Sequence, residues 1–168
     1  MGKNKIKKIE NLDNLHNLSI LSLQSNRITK LENLDKLVNL TEFYISDNGI
    51  TKIEGLDNLK KLNVLDLSSN LIERIENLQN LQELEEFWFN NNKLSKWEDV
   101  DLLKELAKLK CLYLEHNPIY YINNQKPTVA VTDNQVNNPN YRRKIILALP
   151  NLEQIDASLC TKPSIFSK

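Results

Sequence analysis

An asparagine followed two places later by an apolar side chain returns every twenty-two residues: Asn4 with Ile6, Asn26 with Ile28, Asn48 with Ile50, Asn70 with Ile72, Asn92 with Leu94. A unit this short cannot bury an apolar face alone, so the period demands a stack of similar units sharing one core. Written out over one period, the recurring positions are Leu18, Leu21, Leu23, Asn26, Ile28, Leu31, Glu32, Leu34 and Leu37. Leucine and asparagine supply 29 and 24 of the 168 residues, which is the composition such a pattern requires.

Each unit holds one short alternating stretch: Leu21-Ser22-Leu23, Phe43-Tyr44-Ile45, Leu65-Asp66-Leu67, Phe87-Trp88-Phe89 and Leu112-Tyr113-Leu114. Alternation places the two outer side chains inward and the middle one outward on a strand. The recurring asparagine sits where the chain leaves the strand, and its amide can both donate to and accept from backbone groups of neighbouring units that would otherwise be buried unpaired. The apolar residues after it line the core from the other side, on helical turns too brief for a full α-helix. The pattern is that of the leucine-rich repeat. The fold expected is therefore α/β: a leucine-rich-repeat solenoid with a curved parallel sheet on the concave face, short helical turns and one or two α-helices on the convex face, and a C-terminal leucine-rich-repeat cap.

The rest of the composition narrows the function class. With only three glycines, phosphate-cradling loops are ruled out. Lys+Arg and Asp+Glu balance at 22 each, so no global field recruits nucleic acid or an anionic membrane. No long apolar stretch is present, and Lys3, Lys5, Lys7 and Lys8 are not followed by a signal-peptide core. Cys111 falls in a strand and Cys160 in the tail, a usage that fits a reducing compartment better than a disulfide framework. His16 and His116, read as surface residues, have no Cys or His partner at ligand spacing, and the carboxylates of the hollow face have no cleft to dry them. The expectation is a chain that is not an enzyme and needs neither cofactor nor metal.

One domain is expected over residues 1–168, with repeats over about 4–117. Asn4 is already the turn asparagine of a unit whose strand is missing, so N-terminal repeats are expected to be absent and Ile6, Ile9, Leu12 and Leu15 to form a weakly covered end. Toward the other end the spacing widens to twenty-five, and Ser95-Lys96-Trp97-Glu98 reads as a capping box opening a full α-helix with Val100, Leu103, Leu106 and Ala107 on one face. Residues 120–138 read as a low-complexity insertion, 139–157 as the cap with Tyr141, Ile145, Ala148 and Leu149 at helical spacing, and 158–168 as a frayed tail.

A solenoid reads its partner with the outward residues of successive strands, so the candidate partner-binding residues are Glu42, Tyr44, Asp66, Glu86, Trp88, Tyr113 and Glu115. Aromatic side chains in such positions are the usual energetic anchors of interfaces. The competing reading of Trp88 is that it packs flat across Asp66 and Tyr113, and that of the acidic stripe is a merely solvated face. Trp97, in the first turn of a helix, is expected in the core.

The I-E-N/G-L segments, Leu84-Glu85-Glu86-Phe87-Trp88, the run Leu112-Tyr113-Leu114-Glu115-His116-Asn117-Pro118 and the closing Tyr141-Arg142-Arg143-Lys144 through Ala148-Leu149-Pro150 to Ile155-Asp156 resemble the family of regulatory subunit 7 of protein phosphatase 1. The resemblance implies a non-catalytic subunit, in nucleus and cytoplasm, whose hollow face clasps the phosphatase catalytic subunit through positions matching Glu86, Trp88 and Tyr113. A splicing-factor scaffold or a dynein light-chain-like adaptor resembles the same repeat and closing segment.

Overall fold

The computed structural model describes residues 4–124 and 137–160 of the chain. Seven short strands form one sheet in sequence order: β1 (Ile20–Ser22), β2 (Glu42–Tyr44), β3 (Val64–Asp66), β4 (Glu86–Trp88), β5 (Cys111–Tyr113), β6 (Gln154–Ile155) and β7 (Ser158–Leu159). β1 to β6 are parallel and in register, with Leu21, Phe43, Leu65, Phe87, Leu112 and Ile155 forming one inward row. Every member of that row is buried, and the leucines and isoleucines of the returning segments close the core over it. The result is a parallel-sheet solenoid.

The asparagine ladder holds the turns together. Oδ1 of Asn48, Asn70, Asn92 and Asn117 accepts the backbone N–H of Ile28, Ile50, Ile72 and Leu94 in the preceding repeat, at 2.9–3.0 Å. The amide nitrogen of Asn70 donates to the carbonyls of Ile45, Leu67 and Ser68, and Asn92 and Asn117 bond alike to carbonyls of their own and the preceding repeat. The residue before each of these asparagines, and before Asn26, has positive φ (Ser25, Asp47, Ser69, Asn91, His116), which turns the chain sharply off the strand. A second positive-φ column runs through Asn11, Asn33, Gly55 and Asn77; at Gly55 an added Cβ would stand 3.1 Å from the Leu31 carbonyl oxygen.

On the convex side the expected brief turns are present as pairs of three-residue bonds, such as Leu37 N–H to Leu34 O and Leu40 N–H to Leu37 O. The full α-helix after Ser95 is not. Helix α1 spans only Glu98–Asp101 and tightens into a 3₁₀ turn at Leu102–Glu105; its cap is Trp97, with no side-chain cap bond, so the capping box does not form. Three extra residues are too few to build a longer helix inside one turn of the solenoid. Asp99, twenty-two residues after Asn77, is instead committed to the preceding repeat: its buried carboxylate accepts the Ile75 N–H at 3.0 Å and the Arg74 guanidinium at 2.7 and 2.8 Å. The expected later helix is α2 (Tyr141–Ala148), with Tyr141 and Ile145 buried.

Two expected boundaries shift. Tyr121 is buried at 4% exposure, bridges Asn137, and its hydroxyl lies 2.9 Å from His116 Nδ1, so the packed chain continues past residue 120. His116, expected on the surface, is thereby half-buried. Ser158–Leu159 is not frayed but pairs antiparallel with Gln154–Ile155, because the turn at Asp156 (φ 51) folds it back on β6. Residues 125–136 of the expected insertion and 161–168 of the expected tail lie outside the described residues. At the other end Ile9 is buried while Ile6 and Leu15 are exposed, so that end is covered only in part.

The ladder makes the cost of an asparagine depend on its burial. Asn70→Ala strands the Ile50 N–H in the core and leaves the Ile45, Leu67 and Ser68 carbonyls with one donor fewer each, and should cost about 2–3 kcal/mol in denaturant unfolding. Asn26→Ala, on a partly exposed rung bonded to Ile6, should cost about 1 kcal/mol or less. Equal losses at the two positions would show that the amides do not carry the inter-repeat connection.

Candidate protein-binding face

Register places the outward residues of successive strands in columns. Ser22, Tyr44, Asp66, Trp88 and Tyr113 are direct partners across β1 to β5, and Ile20, Glu42, Val64, Glu86, Cys111 and Gln154 form the neighbouring column. Six of the seven sequence-derived candidates lie in these two columns, and Glu115 stands two residues after Tyr113 on the same outward parity.

The aromatics form a row. Trp88 meets Tyr44 edge to face at 6.2 Å between centroids and Tyr113 at 5.8 Å, with interplanar angles of 62° and 61°. All three residues are half-buried, so part of each side chain remains open to the hollow. The carboxylates are tied to the rings beside them: the Tyr44 hydroxyl donates to Glu42 Oε2 at 2.7 Å, and the Trp88 indole N–H donates to Glu86 Oε2 at 3.3 Å. Gln154 extends the row by donating to the Tyr113 hydroxyl at 2.5 Å. Gln154 is absent from the sequence-derived set, although Leu152 and Ile155 in repeat spacing already marked a further strand there.

Asp66 departs from expectation. It is buried at 2% exposure, and its carboxylate accepts the Ser68 N–H and hydroxyl and, at 3.4 Å, the Gln24 amide. Tyr44 and Trp88 are two strands apart, roughly 9–10 Å along the sheet, yet their centroids are 6.2 Å apart. The rings therefore lean together over Asp66 and cover it, so Asp66 supports the face from beneath. Trp88 packs across Tyr44 and Tyr113, whereas the flat packing considered from sequence named Asp66 and Tyr113. Trp97 is half-buried beside Tyr141, with the Lys144 ammonium 4.7 Å from its ring centre, and joins α1 to α2.

Among the described residues no group of three or more His, Cys, Asp and Glu side chains is placed to hold a metal ion, and no helix is long and apolar enough to cross a membrane. Both cysteines are free thiols, and burial raises the Cys111 thiol above its ordinary range. The face thus offers rings, carboxylates and amides to a partner.

The Glu42 carboxylate, by accepting the Tyr44 hydroxyl proton, pushes the Tyr44 pKa from its ordinary 10.0 up to about 12, with burial adding to the effect. The folded state holds this proton more tightly than the unfolded chain does. The stabilisation is therefore whole below pH 10.0 and is lost as pH rises through about 12. In an ultraviolet-difference titration Glu42→Gln should return Tyr44 toward 10.0. An unmoved transition would mean that the hydroxyl is held by some other group.

Residues 38–81 match the family model described as leucine-rich repeats in two copies. Comparison with curated protein sequences gives no match. Among solved structures the chain is similar to an internalin of Listeria monocytogenes, with 29% identity, a TM-score of 0.70, and 94% of this chain and 40% of that one covered. It is similar also to a leucine-rich-repeat protein of Leptospira interrogans, with 27% identity, a TM-score of 0.69, and 90% and 34% covered. A chain of the Drosophila melanogaster SNF/U2A′ complex matches at 25% identity and a TM-score of 0.68, over 85% of this chain and 75% of that one. This chain spans well under half the length of the two bacterial proteins. In fold and in repeat it is a leucine-rich-repeat solenoid.

Proposed function

We propose that this chain is a non-catalytic protein-binding module whose concave face holds the catalytic subunit of protein phosphatase 1, as a regulatory subunit acting in nucleus and cytoplasm. On this reading residues 1–168 are a single domain, with α2 and the β6–β7 hairpin serving as its C-terminal cap. The observation that carries the reading is the Tyr44–Trp88–Tyr113 row with Glu42 and Glu86 fixed beside it. Rings held in place by their neighbours lose little freedom on binding, which is what makes aromatic anchors effective. The outward stretches 20–24, 42–46, 64–68, 86–90 and 111–115 contain no lysine or arginine. With Glu42, Glu86 and Glu115 they suit a partner surface bearing cations. The strand Glu85-Glu86-Phe87-Trp88 and the run Tyr113 to Pro118 direct the choice of partner to the phosphatase through their likeness to its regulatory subunit 7 family.

A second reading, a splicing-factor scaffold, is favoured by the likeness to a chain of the SNF/U2A′ complex. Both readings use the same face, so partner identity separates them. Immobilised chain incubated with purified phosphatase catalytic subunit and, separately, with SNF should retain only the first. Retention of SNF alone would select the scaffold.

In titration calorimetry with the phosphatase catalytic subunit, Trp88→Ala should remove about 2 kcal/mol or more, roughly thirtyfold in Kd. Glu86→Lys should also weaken the complex, and Trp97→Ala should act on folding instead. Denaturant unfolding of Trp88→Ala should show a loss below the roughly 3–5 kcal/mol typical of a fully buried aromatic. Unchanged affinity together with a severe stability loss would assign Trp88 to the scaffold and remove the main support for this function.

A further inference from the structure

Between each turn asparagine and the convex turns, the repeats carry the same three residue types in a row: a cation, an apolar residue and a glutamate. Lys8, Lys30, Lys52, Arg74 and Lys96 recur at twenty-two-residue intervals, and Glu10, Glu32, Glu54, Glu76 and Glu98 follow them by two. The apolar residue between them points into the core, with Ile9, Leu31, Ile53 and Ile75 buried and Trp97 half-buried. The cations are exposed and the glutamates exposed or half-buried, so both face outward on either side of that inward row. Backbone bonds from the N–H groups of Arg27, Gly49, Leu71 and Lys93 to carbonyls of the preceding repeat hold these segments in register. The surface therefore carries a positive and a negative ladder side by side. Each has one charge per repeat, roughly 5 Å apart, and the two ladders are about 7 Å from one another, the length of two extended residues.

Among the described residues, the four lysines and five glutamates of these ladders form no ion pair and no side-chain hydrogen bond; only Arg74 is engaged, by Asp99. Elsewhere charges of neighbouring repeats do pair, as in Lys110 with Glu85 at 2.6 Å. Like charges stacked one repeat apart repel, and a partner of opposite order relieves that cost. Such a partner has to offer both signs in reverse at the same pitch. A polyanion meets the glutamate ladder beside the lysines and fails this demand. A second copy meets it: turned about a two-fold axis parallel to the ladders, it sets glutamates against lysines and lysines against glutamates, repeat for repeat. A two-fold axis across the ladders would set like charges together.

We propose that this two-signed surface is a self-association site on which two copies lie parallel, Lys30 and Lys52 of each against Glu32 and Glu54 of the other. Exposed ion pairs contribute little one by one, so the contact is weak and reversible, and the charges act mainly to fix partner and register. It lies off the strand columns and leaves the concave face open.

Sedimentation velocity of the full chain over a concentration series should show a monomer–dimer equilibrium at about 20 mM salt that shifts to monomer at about 500 mM, as the screening length shrinks from about 20 Å to about 4 Å. Lys30→Glu with Lys52→Glu makes both ladders acidic over the central repeats, and Glu32→Lys with Glu54→Lys makes both basic. Each variant alone should lose the low-salt dimer, and an equimolar mixture of the two should restore it. Cross-linking of the unsubstituted chain tests the contact without relying on the variants. Carbodiimide coupling of mixed light and 15N-labelled chain should give inter-chain links of Lys30 to Glu32 and Lys52 to Glu54. A monomer at low salt, dimers of either variant as strong as the parent's, a mixture that stays monomeric, or inter-chain links confined to other residues would overturn the proposal.

Discussion

The hydrogen bonds of one buried asparagine per turn set the geometry of this solenoid. A strand of three residues and an irregular return leave many backbone groups without a partner of their own, and burying them unpaired would cost more than the core gains. Asn70 answers one N–H of the preceding repeat and carbonyls of both repeats with a single side chain. Because its reach is fixed, the distance from turn to turn in space is fixed too, while the returning segment can lengthen, as it does from twenty-two to twenty-five residues between Asn92 and Asn117, without breaking the ladder. The last turn meets the same demand with a carboxylate. Asp156 accepts the N–H groups of Leu114 and Glu115 and the Tyr141 hydroxyl proton, and burial lifts its pKa above the usual carboxylate range despite those donors.

An exact register has a functional consequence. Because β1 to β5 pair without a slip, outward side chains stack in straight columns, and a substitution in one repeat is read by its neighbours above and below. Tyr44 and Trp88 lean over Asp66 only because all three share a column, and Glu42 and Glu86 reach their rings because they share the adjacent one. The sheet supplies alignment, and the outward residues are free to vary without disturbing the inward row of Leu21, Phe43, Leu65, Phe87 and Leu112.

Much of this was legible in the sequence because periodicity acts on every repeat at once. The inward row, the turn asparagines, the outward aromatics and helix α2 follow from spacing alone. Features depending on one particular side chain did not. Asp66 reads as an exposed acid by parity, and its burial comes from the lean of two rings that spacing does not specify. Ser95 and Glu98 have the residue types of a capping box, yet the pull of Arg74 and the Ile75 N–H on Asp99 decides the geometry there. Ser158–Leu159 carries no strand signal apart from the reversal at Asp156, whose positive φ is a tertiary outcome. Gln154 was missed as a member of the face for a simpler reason, since only two apolar residues mark its strand.

On the proposed function, fixing the carboxylates to their own aromatic neighbours shapes what the concave face can select. A carboxylate has two oxygens with about four acceptor sites, so the bond from Tyr44 or Trp88 uses one and leaves the others for an incoming donor. A partner's lysine or arginine therefore does not have to displace the internal bond. It meets an acid already oriented, next to a ring face that also favours a cation. The rings of Tyr44, Trp88 and Tyr113 pack edge to face in one row in the column of the buried Asp66, and side chains already packed together have less to order on contact. On that function selection rests on the spacing of cations on the partner against Glu42 and Glu86, two strands apart, roughly 9–10 Å, with an apolar or planar group in the neighbouring column to lie on Trp88.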